Sequence, residues 1–240
     1  KLMYNMKLDF ILENNVIPDD INRVFVSYMK HSLEMYNEDL YKKLYEDDHR
    51  IIKSYTFCTK MHSLKFQNGF IFLANNFFSV ELTDYNFSEL LELYNAFLKQ
   101  KKLNQKYSMN RNSMILKRIS LLPLKMPDEK DVIIKMESPL VVRYIHDGLE
   151  EYLTLNDDKF EEVLNLVTEQ MLISLGFNNS KIHIVPLKAK KTVMNLYKHK
   201  ANASLGFFKI TADPLLISVL LQTGIGSRRS IGAGKFKIIG

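Results

Sequence analysis

Cysteine is almost missing from this sequence: Cys58 is the single one in 240 residues. One thiol excludes a disulfide framework and any cysteine-rich zinc site. Long apolar runs are missing too. The best of them, Leu215–Leu221, falls far short of the roughly 18 residues that would suggest a membrane span, and belongs to a buried element. The amino-terminal residues carry no signal-peptide pattern. An intracellular, cytoplasmic protein without membrane contact is therefore expected. No His/Cys cluster or multi-carboxylate group has metal-ligand spacing. Asp19-Asp20, Asp47-Asp48 and Asp157-Asp158 read as helix caps and turns. Neither a metal nor a cofactor is expected.

What is present reads as an ordinary globular chain. It is 46% hydrophobic and 25% charged, which excludes a disordered or low-complexity protein. The length suits one large or two small domains, each with a real core. Thirty-three Lys and Arg against twenty-seven Asp and Glu give a formal charge of +6. A basic balance favours anionic partners, nucleic acid foremost.

The order of elements repeats. In the first half, Met6–Leu12 alternates like a strand. Asp20 is a plausible N-cap for a helix from Ile21 to about Tyr45, its apolar residues at helical spacing. Its stripe centres on Phe25 and Tyr36. Ser54–Cys58 and Gly69–Leu73 have strand composition. Phe87–Leu98 is an amphipathic helix and Met114–Leu122 a strand. In the second half, Asp131–Tyr144 is extended and broken by Ser138-Pro139. Asp157–Leu175 is a helix with Asp157 or Asp158 as cap and Gly176 as stop. Lys181–Leu187, Thr192–Lys198 and Leu205–Ile210 are strands. Asp213-Pro214 opens a short helix to Leu221, and Lys235–Ile239 closes as a strand. The fold class is therefore α+β: two tandem ferredoxin-like (RRM-like) domains. The boundary falls near Met126–Asp131, giving residues 1–126 and 127–240.

The sharpest motif runs from Gly224 to Gly234: Gly224-Ile225-Gly226-Ser227-Arg228-Arg229-Ser230-Ile231-Gly232-Ala233-Gly234. Two Gly-x-Gly pairs bracket two arginines. Glycines let backbone N–H groups approach a phosphate, and arginines supply bidentate donors to it. Ser227 and Ser230 add hydroxyls. A dinucleotide fingerprint is excluded, since no helix follows Gly234. A P-loop is excluded too, because Gly234-Lys235 is followed by Phe236.

Phe207–Ile239 resembles the C-terminal signature of the CRISPR-associated repeat-processing endoribonucleases of the RAMP superfamily. The matching parts are a strand, an Asp-Pro-x-Leu-type helix and the double Gly-x-Gly loop. Ser138-Pro139-Leu140-Val141-Val142 resembles the segment that opens that family's second domain, and Tyr55-Thr56-Phe57-Cys58 its "Phe-Thr-Phe-Ser" strand. Two departures are Ala233, where a bulky apolar residue is usual, and Cys58 in place of serine. The resemblance implies a metal-independent enzyme that cuts CRISPR precursor RNA within the repeat. The 2′-hydroxyl attacks the adjacent phosphate and leaves a 2′,3′-cyclic phosphate and a 5′-hydroxyl. The alternative is a non-catalytic RAMP-type RNA-binding subunit of a CRISPR effector complex. A homodimer stays open.

Such chemistry needs a base, an acid and a cation for the phosphorane. The resemblance puts the catalytic histidine between the first helix and the Thr-Phe strand. His49 sits there, with Lys53 in the place of a lysine that stabilises the transition state. Lys30, on the polar face of the first helix, and His31, at the edge of its apolar stripe, are the next candidates. His62, His146, His183 and His199 rank below them. The RNA-binding set is Gly224, Gly226, Ser227, Arg228, Arg229, Ser230, Gly232, Gly234, Lys235 and Arg143. Behind it stand the basic clusters Lys188, Lys190, Lys191, Lys198 and Lys200, and Lys99, Lys101, Lys102, Lys106, Arg111, Lys117 and Arg118.

Overall fold

A computed structural model describes residues 3–46, 51–178, 181–197 and 199–239. The chain forms two compact units. One comprises Lys1–Lys53 and Cys58–Leu124, the other Ser54–Phe57 and Lys125–Gly240.

In the first unit, β1 (Tyr4–Leu12) buries alternate residues Met6, Leu8, Phe10 and Leu12, as its alternation dictates. A short β2 (Val16–Pro18) leads into α1 (Ile21–Tyr36) and α2 (Glu38–Tyr45). The strands β3 (Tyr55–Lys60, of which Cys58–Lys60 belong to this unit), β4 (Ser63–Gln67), β5 (Phe70–Leu73) and β6 (Phe77–Asp84) follow. Then come α3 (Phe87–Leu103), β7 (Tyr107–Met109) and β8 (Asn112–Pro123). The main sheet has the order β3-β6-β1-β8-β7, with β1 antiparallel to both neighbours. Leaving out β7, this is the ferredoxin-like arrangement of two split β-α-β units. Phe10, Phe25, Tyr28, Phe78 and Phe97 interlock in the core, Phe10 and Phe78 stacked at 4.9 Å.

Three readings are corrected here. The sheet's third strand is β6, not Gly69–Leu73. Phe70–Leu73 is a strand, but in a small separate sheet of order β2-β5-β4. The alternation of buried Phe78, Val80 and Leu82 carries the β6 signal. The first helix is not continuous to Tyr45. Asn37 leaves helical geometry at φ −146°, and its side chain caps α2 by accepting from the Leu40 N–H. The buried line of α1 therefore ends at Leu33, and Tyr36, expected near its centre, is exposed. Asp20 occupies the N-cap position but makes no side-chain cap bond. It pairs with Arg23 instead, at 3.5 Å.

The second unit contains β9 (Asp131–Met136), the hairpin β10 (Val142–His146) and β11 (Leu149–Leu153), and α4 (Phe160–Ser174). It continues with β12 (His183–Leu196), β13 (His199–Thr211), α5 (Pro214–Thr223) and β14 (Phe236–Ile238). The sheet order β12-β13-β9-β14 is again ferredoxin-like. Ile134, Leu164, Leu172, Phe208, Ile210, Ile217, Leu220 and Phe236 fill its core.

Of Lys181–Leu187 and Thr192–Lys198, expected as two strands, His183–Leu187 and Thr192–Leu196 belong to one long strand, β12, with a register shift between Pro186 and Lys188. Pro186 is tolerated because β12 is an edge strand. Lys198 lies outside the described residues. Neither Asp157 nor Asp158 caps α4, whose N-cap position holds Lys159. Asp157 instead closes a turn, accepting from the N–H and hydroxyl of Thr154. Gly176 ends the helix as expected: its N–H reaches Ile173 and that of Phe177 reaches Leu172, a Schellman closure. Asp213 caps α5 through the Leu215 N–H, with Pro214 in the first turn. Among the described residues no helix is long and apolar enough to cross a membrane.

Candidate functional site

The glycine loop is a clasp of backbone against backbone. It leaves α5 at Gly224, which has φ +75°. Ile225 donates to the Gly234 carbonyl at 2.9 Å, and Gly234 donates to Pro139 at 2.8 Å. Ser227 donates to Val141 at 2.7 Å. At Gly226 a Cβ would stand 2.5 Å from the Val141 oxygen, and at Gly234 only 1.9 Å from that of Ile225. Glycine is required there because two chains touch and φ is positive. The N–H groups of Gly224, Gly232 and Gly234 are already bonded, to the carbonyls of Leu220, Arg229 and Pro139. The expected phosphate cradle of glycine N–H groups is therefore not available at these three positions.

The basic residues of the loop divide sharply. Arg229 is only 8% exposed, and its Nη1 donates to the Thr223 carbonyl at 2.8 Å. It satisfies the carboxyl end of α5, where a cation is favoured. Lys235 is 3% exposed and paired with Glu137 at 3.1 Å. Both were expected to meet RNA, and burial takes both away from that role. Arg228 stays at the surface, at φ +60°.

Arg228 joins a cluster on the β10–β11 hairpin. Its Nη2 donates to the Tyr152 hydroxyl at 2.9 Å and to Glu150 at 3.3 Å. Arg143 donates to the other Glu150 oxygen at 2.9 Å, and the Tyr152 hydroxyl also donates to Glu150. The Arg143 backbone N–H donates to Ser227 Oγ at 3.1 Å. His199 Nε2 lies 3.5 Å from the Tyr152 hydroxyl. The bonds from Arg143 and Tyr152 hold the Glu150 carboxyl down at about 2. Glu150, Tyr152 and His199 were not singled out as site residues. Alternation along LEEYL places Glu150 and Tyr152 on one face of β11, which was the available signal.

In the first unit, Lys30 and Lys53 meet on one aromatic ring. Lys30 Nζ lies 4.7 Å and Lys53 Nζ 5.3 Å from the centre of the Tyr45 ring. Lys53 also donates to the Ile51 carbonyl at 3.3 Å. Burial, and then the charge of Lys30, lower the pKa of Lys53, while Glu89 opposes the shift. Glu89 is itself raised by burial and lies 4.0 Å from Lys43. Two ammonium groups held against a ring can neutralise an oxyanion, and a lysine of lowered pKa can exchange a proton nearer neutrality. His31 is not part of this pair. It packs against the Tyr107 ring at 5.7 Å, one position round α1 from Lys30. His49 lies outside the described residues. Tyr45 and Glu89 were missed, because a single long helix hides the break at Asn37, after which α2 sets Tyr45 beside Lys30 and Lys43 beside Glu89.

The outlying basic clusters are partly engaged as well. Lys99 donates to the Met35 carbonyl, Lys106 reaches Glu13, Lys117 reaches Asn104, and Arg118 pairs with Asp9.

Residues 122–238 match the family model described as "CRISPR associated protein Cas6, C-terminal". The carboxyl-terminal half of the chain is Cas6-like. Solved structures carry the same fold over almost the whole chain. A Cas6-related protein from Pyrococcus furiosus matches with a TM-score of 0.84 and 18% identity, covering 99% of this chain and 98% of its own. A structure described as "an RAMP protein binding different RNA substrates" matches at 0.83 and 18%, covering 99% and 100%. A third, "CRISPR associated protein Cas6", matches at 0.78 and 18%, covering 99% and 100%. A search of curated proteins finds no match by sequence. At 18% identity the structures show the fold alone, and the family match covers the carboxyl-terminal half.

Proposed function

We propose that this protein binds CRISPR repeat RNA and cuts it within the repeat, without a metal. The 2′-oxygen loses its proton to a base and bonds to the adjacent phosphorus. The phosphorus–O5′ bond breaks, and O5′ takes a proton from an acid. The ends are a 2′,3′-cyclic phosphate and a 5′-hydroxyl. The observation that carries this reading is the Lys30–Lys53 pair over Tyr45 in a chain whose carboxyl half matches the Cas6 model. Lys30 and Lys53 serve as the cations for the phosphorane. Lys53, with its lowered pKa, is also suited to proton transfer. His49 is the candidate base on its sequence position. Arg228, Arg143, Ser227 and Ser230 supply half-buried donors for the phosphate chain. A relative described as binding different RNA substrates supports RNA as the ligand.

The test is incubation of end-labelled repeat RNA with the protein in EDTA. Cleavage to a 2′,3′-cyclic phosphate, blocked by a 2′-deoxy nucleotide at the cut, is expected. Tight binding without cleavage would favour the alternative of a guide-holding subunit. Products with a 3′-hydroxyl would overturn the proposed chemistry.

A further inference from the structure

The cluster around Glu150 has the composition of an oxyanion site that already holds an anion. Two guanidinium groups and a phenol hydroxyl converge on one carboxylate. That set of donors is what a phosphate ester asks for. The carboxylate does not use all of it. The Nε–H groups of Arg143 and Arg228 are buried and lack a partner among the described residues, where buried donors are ordinarily paired. The Ser227 hydroxyl accepts from Arg143 and keeps its own hydrogen to give. Glu150 lies on β11, in the second pair from the hairpin turn, and its side chain is 37% exposed. It can swing out without disturbing the core.

We propose that Glu150 is a built-in counter-anion. It occupies the Arg143–Arg228–Tyr152 site in the free protein, and a phosphate group of the RNA backbone displaces it on binding. This rests on the reading of RNA as the ligand. Without an anion the two guanidinium groups would repel each other, so Glu150 keeps the site assembled. The same contact lowers affinity for any polyanion that cannot also move the carboxylate. Glu150 thus sets a threshold for RNA capture, and does not itself contact the reacting atoms.

The experiment compares wild type, Glu150→Gln and, as a control for net charge, the exposed Glu169→Gln. Binding of a 2′-deoxy-blocked repeat RNA is read by fluorescence anisotropy, with folding checked by thermal melting. Glu150→Gln is expected to bind about three- to tenfold more tightly than wild type, and Glu169→Gln to differ little. The gain should vanish when Arg143→Ala and Arg228→Ala are added. Affinity unchanged or weakened in Glu150→Gln would overturn the proposal, as would an equal gain in Glu169→Gln or a gain that survives loss of both arginines. A parallel titration with inorganic pyrophosphate, followed by phosphorus NMR, separates the two readings. If wild type has no affinity for RNA, the RNA reading falls. Stronger pyrophosphate binding by Glu150→Gln than by wild type would still uphold the displacement at this site, and equal binding would refute it.

Discussion

Arg229 reaches back six residues to the carbonyl of Thr223, and so ties the glycine loop to the end of the helix it leaves. Its neighbour Arg228 points to the hairpin surface. Adjacent arginines therefore have opposite duties. Arg229→Ala is expected to cost about 2 kcal/mol of stability, since it strands a buried carbonyl and empties a packed site. Arg228→Ala should cost less than about 1 kcal/mol and weaken RNA binding. Urea denaturation of both variants beside anisotropy measurements checks the division. Equal stability losses would contradict it.

Lys53 should show a trade between stability and activity. Its folded-state pKa is lowered by burial and by Lys30, so folding is opposed while the group is charged. That penalty is full below the folded pKa and is relieved as pH rises through it toward the ordinary lysine value. Lys53→Met should therefore melt no lower than wild type at neutral pH. Its single-turnover cleavage should still fall by at least about tenfold. A variant that melts much lower would mark Lys53 as a structural residue.

Glu150 gives a prediction at acid pH. Its carboxyl is held at about 2 against an ordinary 4.5. Its contribution to folding is present above the ordinary value and is lost as pH falls through about 2. Melting curves of wild type and Glu150→Gln should converge over that interval. Carboxyl NMR should place the midpoint near 2, and Arg143→Ala should move it back toward 4.5. A midpoint already near 4.5 in wild type would show that the cluster does not form.

Two glycines of similar φ should respond very differently. Gly234→Ala sets a Cβ 1.9 Å from a backbone oxygen at φ +73°, and is expected to cost about 3 kcal/mol or more. Gly148→Ala, at φ +76° with nothing within 4 Å, should cost only about 1 kcal/mol. Denaturation midpoints read the contrast directly.

Much of the fold was legible in the sequence because the repeated order of strands and helices is written in local periodicity. The Schellman stop at Gly176 and the Asp213-Pro214 start of α5 are set by chain chemistry within a few residues. What escaped depended on distant partners. Phe70–Leu73 and Phe77–Asp84 both have strand composition, and only pairing with β1 decides which enters the main sheet. The break at Asn37 hangs on one side chain bonding its own backbone. At the site, the pairing of Lys30 with Lys53 required Tyr45, whose role no helical wheel of a single long helix could reveal. The glycine motif marks a segment where backbone meets backbone. Its glycines are explained by close backbone contact, and that contact hides Arg229 and Lys235 from the surface.

The clasp formed by Ile225, Ser227 and Gly234 on Pro139 and Val141 uses main-chain atoms alone. Its shape is thus indifferent to which side chains stand at positions 228 and 230. Those two residues can be exchanged as one changes the jaws of a vice, leaving the frame untouched.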